Sequence, residues 1–396
     1  MKDLGKKIDV LTKDILPDLI QLRRHLHAHP ELSGQEYQTA ALVAGELRKS
    51  GWEVKEAVGK TGVVAEMGNK SGPIVGLRVD MDALPIEERT GLEYSSSIQG
   101  LMHACGHDLH TCIGLGVAKV LAKNKFTNSR IRIIFQPAEE IAQGANWMRA
   151  EKVLEGVQAL FGVHVYPDLS VGKIGIRTGT FTAAAAELEI EIIGDGGHGA
   201  RPHEGIDSIW ISAKVISGLQ EAISRRLDAL KPVVISFGKI SGGNAFNVIA
   251  ERVKLLGTVR CLDNNLYEKL PQWIEKIVQN IASTYGGKAN IKFKSIAPPV
   301  YNDPELTSLL STCAKNFMDE ENIVYLENPS LGAEDFAFFL QDVPGTMFRL
   351  GVAGNQGCAP LHSGNFALDE RSLELGIKIL SQTLVMASKT LQDINH

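Results

Sequence analysis

Glu187-Leu188-Glu189-Ile190-Glu191-Ile192 is the stretch that divides this chain. Charged and apolar residues alternate strictly, which reads as a strand with one wet face and one buried face. The chain before it reads differently. Short apolar strands are expected over 52–58, 63–67, 74–79, 130–136 and 159–165. Helices are expected over 4–29, 36–50, 108–123 and 144–149. Strands alternating with helices imply an α/β layered domain with a largely parallel sheet. From about Thr182 the order becomes strand 187–192, helix 207–226, strands 233–240 and 253–260, helix 266–285 and strand 289–295. That is β-α-β-β-α-β, the ferredoxin-like split unit. After Ala297-Pro298-Pro299 the α/β style returns, with a helix over 304–318, a strand over 347–350 and a last helix over 370–389. The expectation is a discontinuous α/β domain made of 1–181 and 297–396. An α+β insert over 182–296 would act as a lid.

A length of 396 residues suits two domains rather than one core. The net charge of −5 gives no basic footprint, so no nucleic-acid partner is expected. No apolar run approaches the roughly 18 residues that cross a bilayer. Met1-Lys2-Asp3-Leu4-Gly5-Lys6-Lys7 leads into an amphipathic helix rather than an apolar signal core. The expectation is a cytoplasmic protein with no membrane partner. Its five cysteines, Cys105, Cys112, Cys261, Cys313 and Cys358, are odd in number and contain no C-x-x-C. No disulfide framework is expected, which suits a reducing compartment.

Gly194-Asp195-Gly196-Gly197-His198-Gly199 matches the G-x-G-x-x-G of dinucleotide-binding folds and follows a strand. Two observations speak against that reading. Pro202, three residues on, suits at best the first turn of the helix the motif requires. The preceding strand alternates Glu with apolar residues, whereas a central parallel strand is apolar on both faces. The glycines are better read as a tight backbone path around His198.

Met102-His103-Ala104-Cys105-Gly106-His107-Asp108-Leu109-His110 places one thiol, one carboxylate and three imidazoles within nine residues. Thiolate and imidazole bind transition metals, and carboxylate supports or joins them. Cys105 and His107, separated by Gly106, can converge on one centre from an extended loop. Further ligand types recur where strands end: Asp80-Met81-Asp82, Glu139-Glu140, His164, and His362 in a Gly/Pro-bounded loop. The carboxyl ends of strands are where α/β proteins bind ligands. One Cys, three His and one Glu can fill two metal sites with positions open for water. Two ions a few ångströms apart polarise a carbonyl and activate water, and a further carboxylate can carry a proton to a leaving amine. The mixed donor set suits Mn, Zn, Co or Ni. Of the adjacent Glu139 and Glu140, one can bind metal while the other faces substrate.

These residues also carry a family resemblance that spans nearly the whole chain. It runs through Arg24-His25-Leu26-His27, His29-Pro30-Glu31-Leu32, Asp80-Met81-Asp82-Ala83-Leu84-Pro85 and Met102–Asp108. It continues through Gln136-Pro137-Ala138-Glu139-Glu140, His164-Val165-Tyr166-Pro167, Gly197–His203, Gly332-Ala333-Glu334-Asp335-Phe336 and Leu361-His362. The chain resembles the metallo-amidohydrolase branch of the aminoacylase/carboxypeptidase superfamily. Hippurate hydrolases, N-acetyl-diaminopimelate deacetylases and auxin-conjugate hydrolases belong to that branch. The resemblance implies a zinc-peptidase-like catalytic domain with an inserted lid and dimerisation domain. It implies that Cys105, His107, Glu140, His164 and His362 bind two divalent metal ions, and that Glu139 is the general base. By the same resemblance Asp82 orients a ligand imidazole, His198 stabilises an oxyanion, and Asn247 and Arg260 hold substrate. A homodimer through the insert is implied as well. The chain departs from the family pattern at Ala333, where Ser is common, and at Ala250, where Pro is common.

The expected function is a dinuclear metal-dependent amidohydrolase that cleaves N-acyl amino acids to a carboxylate and a free amino acid. A dipeptidase or carboxypeptidase on the same site is the enzymatic alternative. A metal- or ligand-binding homologue without catalysis is the alternative from another class, and the presence of Glu139 speaks against it.

Overall fold

The computed structural model describes residues 2–124 and 130–394. The chain forms two compact units. The first comprises Met1–Gly179, Tyr301–Asn328 and Asp335–His396, the second Thr180–Val300 and Pro329–Glu334. Pro329–Glu334 thus groups with the second unit rather than with the rest of 297–396.

The first unit is built on an eight-stranded sheet. Its spatial order is Glu53–Val58, Gly62–Gly68, Arg130–Gln136, Ile74–Asp80, Val157–Ser170, Gly345–Ala353, Ile174–Ile176 and Ile323–Tyr325. The four central strands run parallel, from Arg130–Gln136 to Gly345–Ala353. Antiparallel pairs occur outside them, so the sheet is mixed at its margins. Every residue of Ile74–Asp80 and of Gly345–Ala353 is buried, as strands covered on both faces require. Strand Val157–Ser170 outruns the expected 159–165 at both ends. The short strands Ile174–Ile176 and Ile323–Tyr325 carry too few residues to show a period.

Helices Lys2–Ala28, His107–Asn124 and Ser372–Ile394 pack on one another and on the sheet. Along the first helix Ile8, Thr12, Ile15, Leu19, Arg23 and Leu26 are buried, three or four residues apart, which is one helical face. Arg23 therefore enters the core with its charge. Its Nε donates to Asp108 Oδ2 at 2.9 Å, and its Nη1 donates to Glu370 Oε1 at 2.9 Å and to the Tyr94 hydroxyl at 3.3 Å. His27, one turn later, lies between Asp108 Oδ2 at 2.9 Å and Glu88 Oε1 at 3.2 Å.

The second unit carries a four-stranded antiparallel sheet in the order Val233–Gly242, Arg252–Cys261, Ala184–Ile193, Lys288–Ala297. Helices Ser208–Arg226 and Leu270–Thr284 cross over it, completing β-α-β-β-α-β. The strict alternation of Glu187–Ile192 appears as burial. Leu188, Ile190 and Ile192 are fully buried, while Glu189 faces Lys254 at 2.8 Å and Lys292 at 3.1 Å on the wet face. The expected helix 266–285 is two pieces, Asn264–Tyr267 and Leu270–Thr284, the second beginning with Pro271 in its first turn. The expected helix 304–318 stops at Ala314. No helix among the described residues is long and apolar enough to cross a membrane.

The Arg23–Asp108–His27–Glu88 cluster makes stability depend on pH. Burial works to lower the His27 pKa, but hydrogen bonds to Asp108 and Glu88 outweigh it and carry the group up to about 9. The folded value lies above the usual 6.5, so this contribution is complete below pH 6.5 and is lost as pH rises through about 9. Thermal unfolding midpoints should fall between pH 7 and 9, and His27→Gln should flatten that slope. A slope equal in both proteins would show that His27 is not its source.

Candidate metal centre

The proposed ligands gather at the carboxyl edge of the central parallel strands. Ile74–Asp80 delivers Asp80 and, two residues later, Asp82. Arg130–Gln136 leads into Pro137-Ala138-Glu139-Glu140, and Val157–Ser170 carries His164. Cys105 lies just before helix His107–Asn124 and His107 opens it. The His362 loop is tied to them by its backbone, His362 N–H donating to Ala104 O at 2.9 Å.

Side chains from these segments converge. Cys105 Sγ lies 3.6 Å from His164 Nε2. His107 Nε2 lies 3.8 Å from Glu140 Oε1, and His362 Nε2 lies 3.4 Å from Glu140 Oε2. Donor atoms of Cys105, His107 and His164 fall within 4.8 Å of one another, and so do those of Cys105, Glu140 and His362. The two groups share Cys105. His107, Glu139 and Glu140 form a further group by the same measure.

Hydrogen bonds set which ring nitrogen faces the centre. His107 Nδ1 faces Asp82 O at 2.9 Å and Asp82 Oδ1 at 3.2 Å, both acceptors, so Nδ1 carries the proton and the Nε2 lone pair points inward. His164 Nδ1 donates to Val165 O at 2.8 Å, leaving Nε2 toward Cys105. Behind them, Val165 N–H donates to His110 Nε2 at 2.9 Å, so His110 presents Nδ1–H to Asp80 Oδ1 at 2.6 Å. Asp80 Oδ2 accepts from Arg78 at 2.7 Å, and Arg78 reaches Asp335 at 2.9 Å.

Two polar atoms in the centre, His107 Nε2 and Glu140 Oε1, are buried and make no hydrogen bond. Buried polar atoms are rarely orphaned, and two that face each other mark the place of a missing partner. Charge points the same way. Burial, reinforced by Glu140, pushes the Cys105 thiol well above its ordinary pKa. Burial pushes Glu140 up to about 7, against the pull of His107. Burial disfavours charge on His107 too, but Asp80 and Cys105 override it and raise the group well above 6.5. A site that pushes its acids up and holds a proton on an imidazole is short of positive charge. A divalent cation supplies that charge and displaces those protons. The residues present therefore fit divalent metal ions.

Of the remaining predicted residues, Asp82 lies in the centre, its side chain bonded to His107, Ser33 and Glu140 N–H. His198, Asn247 and Arg260 belong to the second unit. There His198 sits in a two-residue strand opposite Val248, and Gly199 N–H donates to Asn247 O at 2.8 Å, so His198 and Asn247 are neighbours. His198 Nδ1 accepts the Ala200 N–H at 3.0 Å, leaving Nε2 protonated and outward as a donor. Arg260 stands on strand Arg252–Cys261, its Nη1 on Val259 O and its Nε on Leu331 O. After Gly199 the chain enters a 3₁₀ turn, Pro202–Glu204, and the next helix begins only at Ser208. The geometry of a dinucleotide fingerprint is therefore not formed. Arg78, bonded to Asp80, and Ser33, bonded to Asp82, support the centre without having been expected. An arginine inside the apolar run Ile74–Asp80 was the one available signal.

Gly106 is the joint between two proposed ligands. Its φ is +77°, and a Cβ there would stand 2.8 Å from Val165 Cγ2. Gly106→Ala should cost at least about 1–2 kcal/mol from the left-handed backbone alone and should spread Cys105 from His107. Reduced metal content by mass spectrometry, beyond any fall in unfolding midpoint, is the expected result.

The model of Peptidase family M20/M25/M40 matches residues 76–386 of this chain. Among curated proteins the chain is 50% identical over 376 residues to one named Probable hydrolase sll0100 from Synechocystis sp., covering 94% of this chain and 96% of that one. It is 41% identical to Thermostable carboxypeptidase 1 of Saccharolobus solfataricus, with 94% and 96% covered. It is 39% identical to the N-acetyl-L-cysteine deacetylase of Bacillus subtilis, with 96% and 89% covered. Among solved structures, a dinuclear metal-binding peptidase from the M20 family, the YXEP protein of Bacillus subtilis, superposes with a TM-score of 0.83 at 34% identity, covering 96% of this chain and 99% of that one.

Proposed function

The chain belongs to peptidase family M20/M25/M40 and is a metal-dependent hydrolase of amide bonds, and from that membership we propose that it releases free amino acids from N-acyl amino acids. The observation that carries the reading is the pair of orphaned buried atoms, His107 Nε2 and Glu140 Oε1, set among Cys105, His164 and His362 with Glu139 alongside. The deacetylase relative supports the acyl-amino-acid substrate class.

In this reading Cys105, His107, Glu140, His164 and His362 hold two divalent ions of the Mn, Zn, Co or Ni type. When bound, such ions polarise the scissile carbonyl and lower the pKa of water. Glu139 takes the proton from the attacking water and delivers it to the leaving amine nitrogen, since an amide leaves poorly as an anion. Asp82 keeps His107 in the tautomer that points Nε2 inward. In the second unit, His198 Nε2–H donates to the developing oxyanion, Asn247 holds substrate, and Arg260 pairs with the amino acid's carboxylate.

The second reading, a dipeptidase or carboxypeptidase on the same site, is favoured by the 41% identical carboxypeptidase. Both substrate classes end in a free carboxylate. A homodimer through the second unit completes the proposal. Strand Val233–Gly242 is an edge of its sheet and leaves Val234 and Ile240 exposed, a ready surface for pairing. A reducing, cytoplasmic setting suits five cysteines that are all unbonded.

Chelator-stripped protein, resupplied with Mn, Zn, Co or Ni, should regain release of amino acid from a panel of acetyl and benzoyl amino acids. Faster release from matched dipeptides would favour the second reading. Tight metal binding without hydrolysis of either class would reduce the chain to a binding protein. Glu139→Gln should lower kcat by roughly 10²–10⁴-fold with two metals retained. Loss of a metal instead would reverse the roles of the two glutamates.

A further inference from the structure

Glu36 is fully buried and immediately precedes helix Tyr37–Lys49, yet its carboxylate makes no bond to that helix's free N–H groups. Glu31 does that work instead, accepting from Gln38 N–H at 3.0 Å and Thr39 N–H at 2.8 Å. Glu36 Oε1 accepts from Gly34 N–H at 2.8 Å and from Ala138 N–H at 2.9 Å, and Oε2 accepts from the Thr61 hydroxyl. A buried acid is costly unless its bonds are specific, and this one reaches a loop 102 residues away.

That loop is unusual. Ala138 is fully buried at φ +54°, a left-handed conformation that a residue with a Cβ adopts at a cost of about 1–2 kcal/mol. Its carbonyl accepts from Gln143 N–H at 3.2 Å and Gly144 N–H at 3.1 Å, so both sides of the residue are held. The turn delivers the two glutamates that follow to one place. Glu140 bends back, its N–H on Asp82 Oδ2 at 3.1 Å and its carboxylate toward His107 and His362. Glu139 stays within reach of the same centre, a donor oxygen within 4.8 Å of His107 and Glu140, and its Oε1 accepts from Asp335 N–H at 3.4 Å. The strained residue sits where the chemistry is, and strain of that kind persists only where neighbours impose it.

We infer that Glu36 is a positioning residue: through the Ala138 N–H it holds the left-handed turn from which Glu139 and Glu140 both reach the centre. The inference rests on the reading above, in which Glu140 binds metal and Glu139 carries the proton. The test compares Glu36→Ala, Glu36→Gln, Ala138→Gly and the Glu36→Ala/Ala138→Gly double variant. Each is measured for Mn²⁺ affinity of the stripped protein, by competition with a chromogenic chelator, and for kcat and KM when loaded. Glu36→Ala should weaken Mn²⁺ binding by about 10–100-fold and lower kcat by a similar factor, with KM little changed. Glu36→Gln keeps an oxygen for Ala138 and should stay within about threefold of the parent protein. Glycine adopts the left-handed turn without help, so the double variant should regain most of both losses.

A fall in unfolding midpoint with affinity and kcat intact, or a double variant no better than Glu36→Ala, would overturn the inference. If Glu36→Ala does not accumulate folded, Glu36→Asp takes its place. Its shorter side chain draws back the carboxylate oxygen that Ala138 N–H shares with Gly34 N–H. A parent protein that hydrolyses nothing would defeat the functional reading alone, because the Mn²⁺ affinities would still decide the role of Glu36.

Discussion

The carboxylate of Asp82 ties three parts of the chain together at one point. Its Oδ1 accepts from His107 Nδ1–H at 3.2 Å, and its Oδ2 accepts from the Ser33 hydroxyl at 2.6 Å and from Glu140 N–H at 3.1 Å. A helix start, the segment after the first helix and the acidic loop are thereby registered to the end of strand Ile74–Asp80. Asp82 is itself buried; burial works to raise its pKa, and the His107 and Ser33 bonds overcome that and hold it below the ordinary value. An acid that stays ionised with three hydrogen bonds on its two oxygens is firmly held. A donor set for small ions needs that rigidity, since errors of a few tenths of an ångström decide whether a site binds.

A second scaffold stands behind His164. Arg78, Asp80, His110 and the Val165 peptide form one buried chain of hydrogen bonds that ends at the His164 ring. Each member fixes the proton position of the next. Helix His107–Asn124 contributes His107 to the centre and His110 to this support, from positions one turn apart. One helical turn thus serves both the donors and the structure that aims them, which follows from the i, i+3 spacing of side chains on one face.

This division explains what was legible in the sequence. Ligand types at strand ends are local patterns. Cys105, His107, His164, His362 and the Glu139-Glu140 pair could be proposed because thiol, imidazole and carboxylate stand out against apolar strands, while the choice of Glu140 over Glu139 came from the family resemblance. The β-α-β-β-α-β order of the insert was equally local, because Glu187–Ile192 writes its burial into its own alternation. The supports were not legible. Glu36 reads as an ordinary helix-start acid, and nothing near it in the chain says that its partner is Ala138. The Ala138 turn carries no glycine to announce a positive φ. His198 and Asn247 come together through a ladder only two residues long, too short to leave a period.

Charge gives the arrangement its sense. On the proposed ligand set only Cys105 and Glu140 bring negative charge, and three neutral imidazoles complete it. Two divalent ions would keep a net charge near +2. That surplus would attract a carbonyl oxygen and stabilise negative charge on it. A third anionic ligand would weaken the effect, and one stands close by, since Asp80 Oδ1 is 3.8 Å from His107 Nε2. Both Asp80 oxygens are engaged elsewhere, one by His110 and the other by the Arg78 guanidinium. Arg78 is buried with it and balances its charge at 2.7 Å. The arginine inside a central strand thus holds the Asp80 carboxylate to orienting the centre, which would leave the positive surplus of bound ions intact.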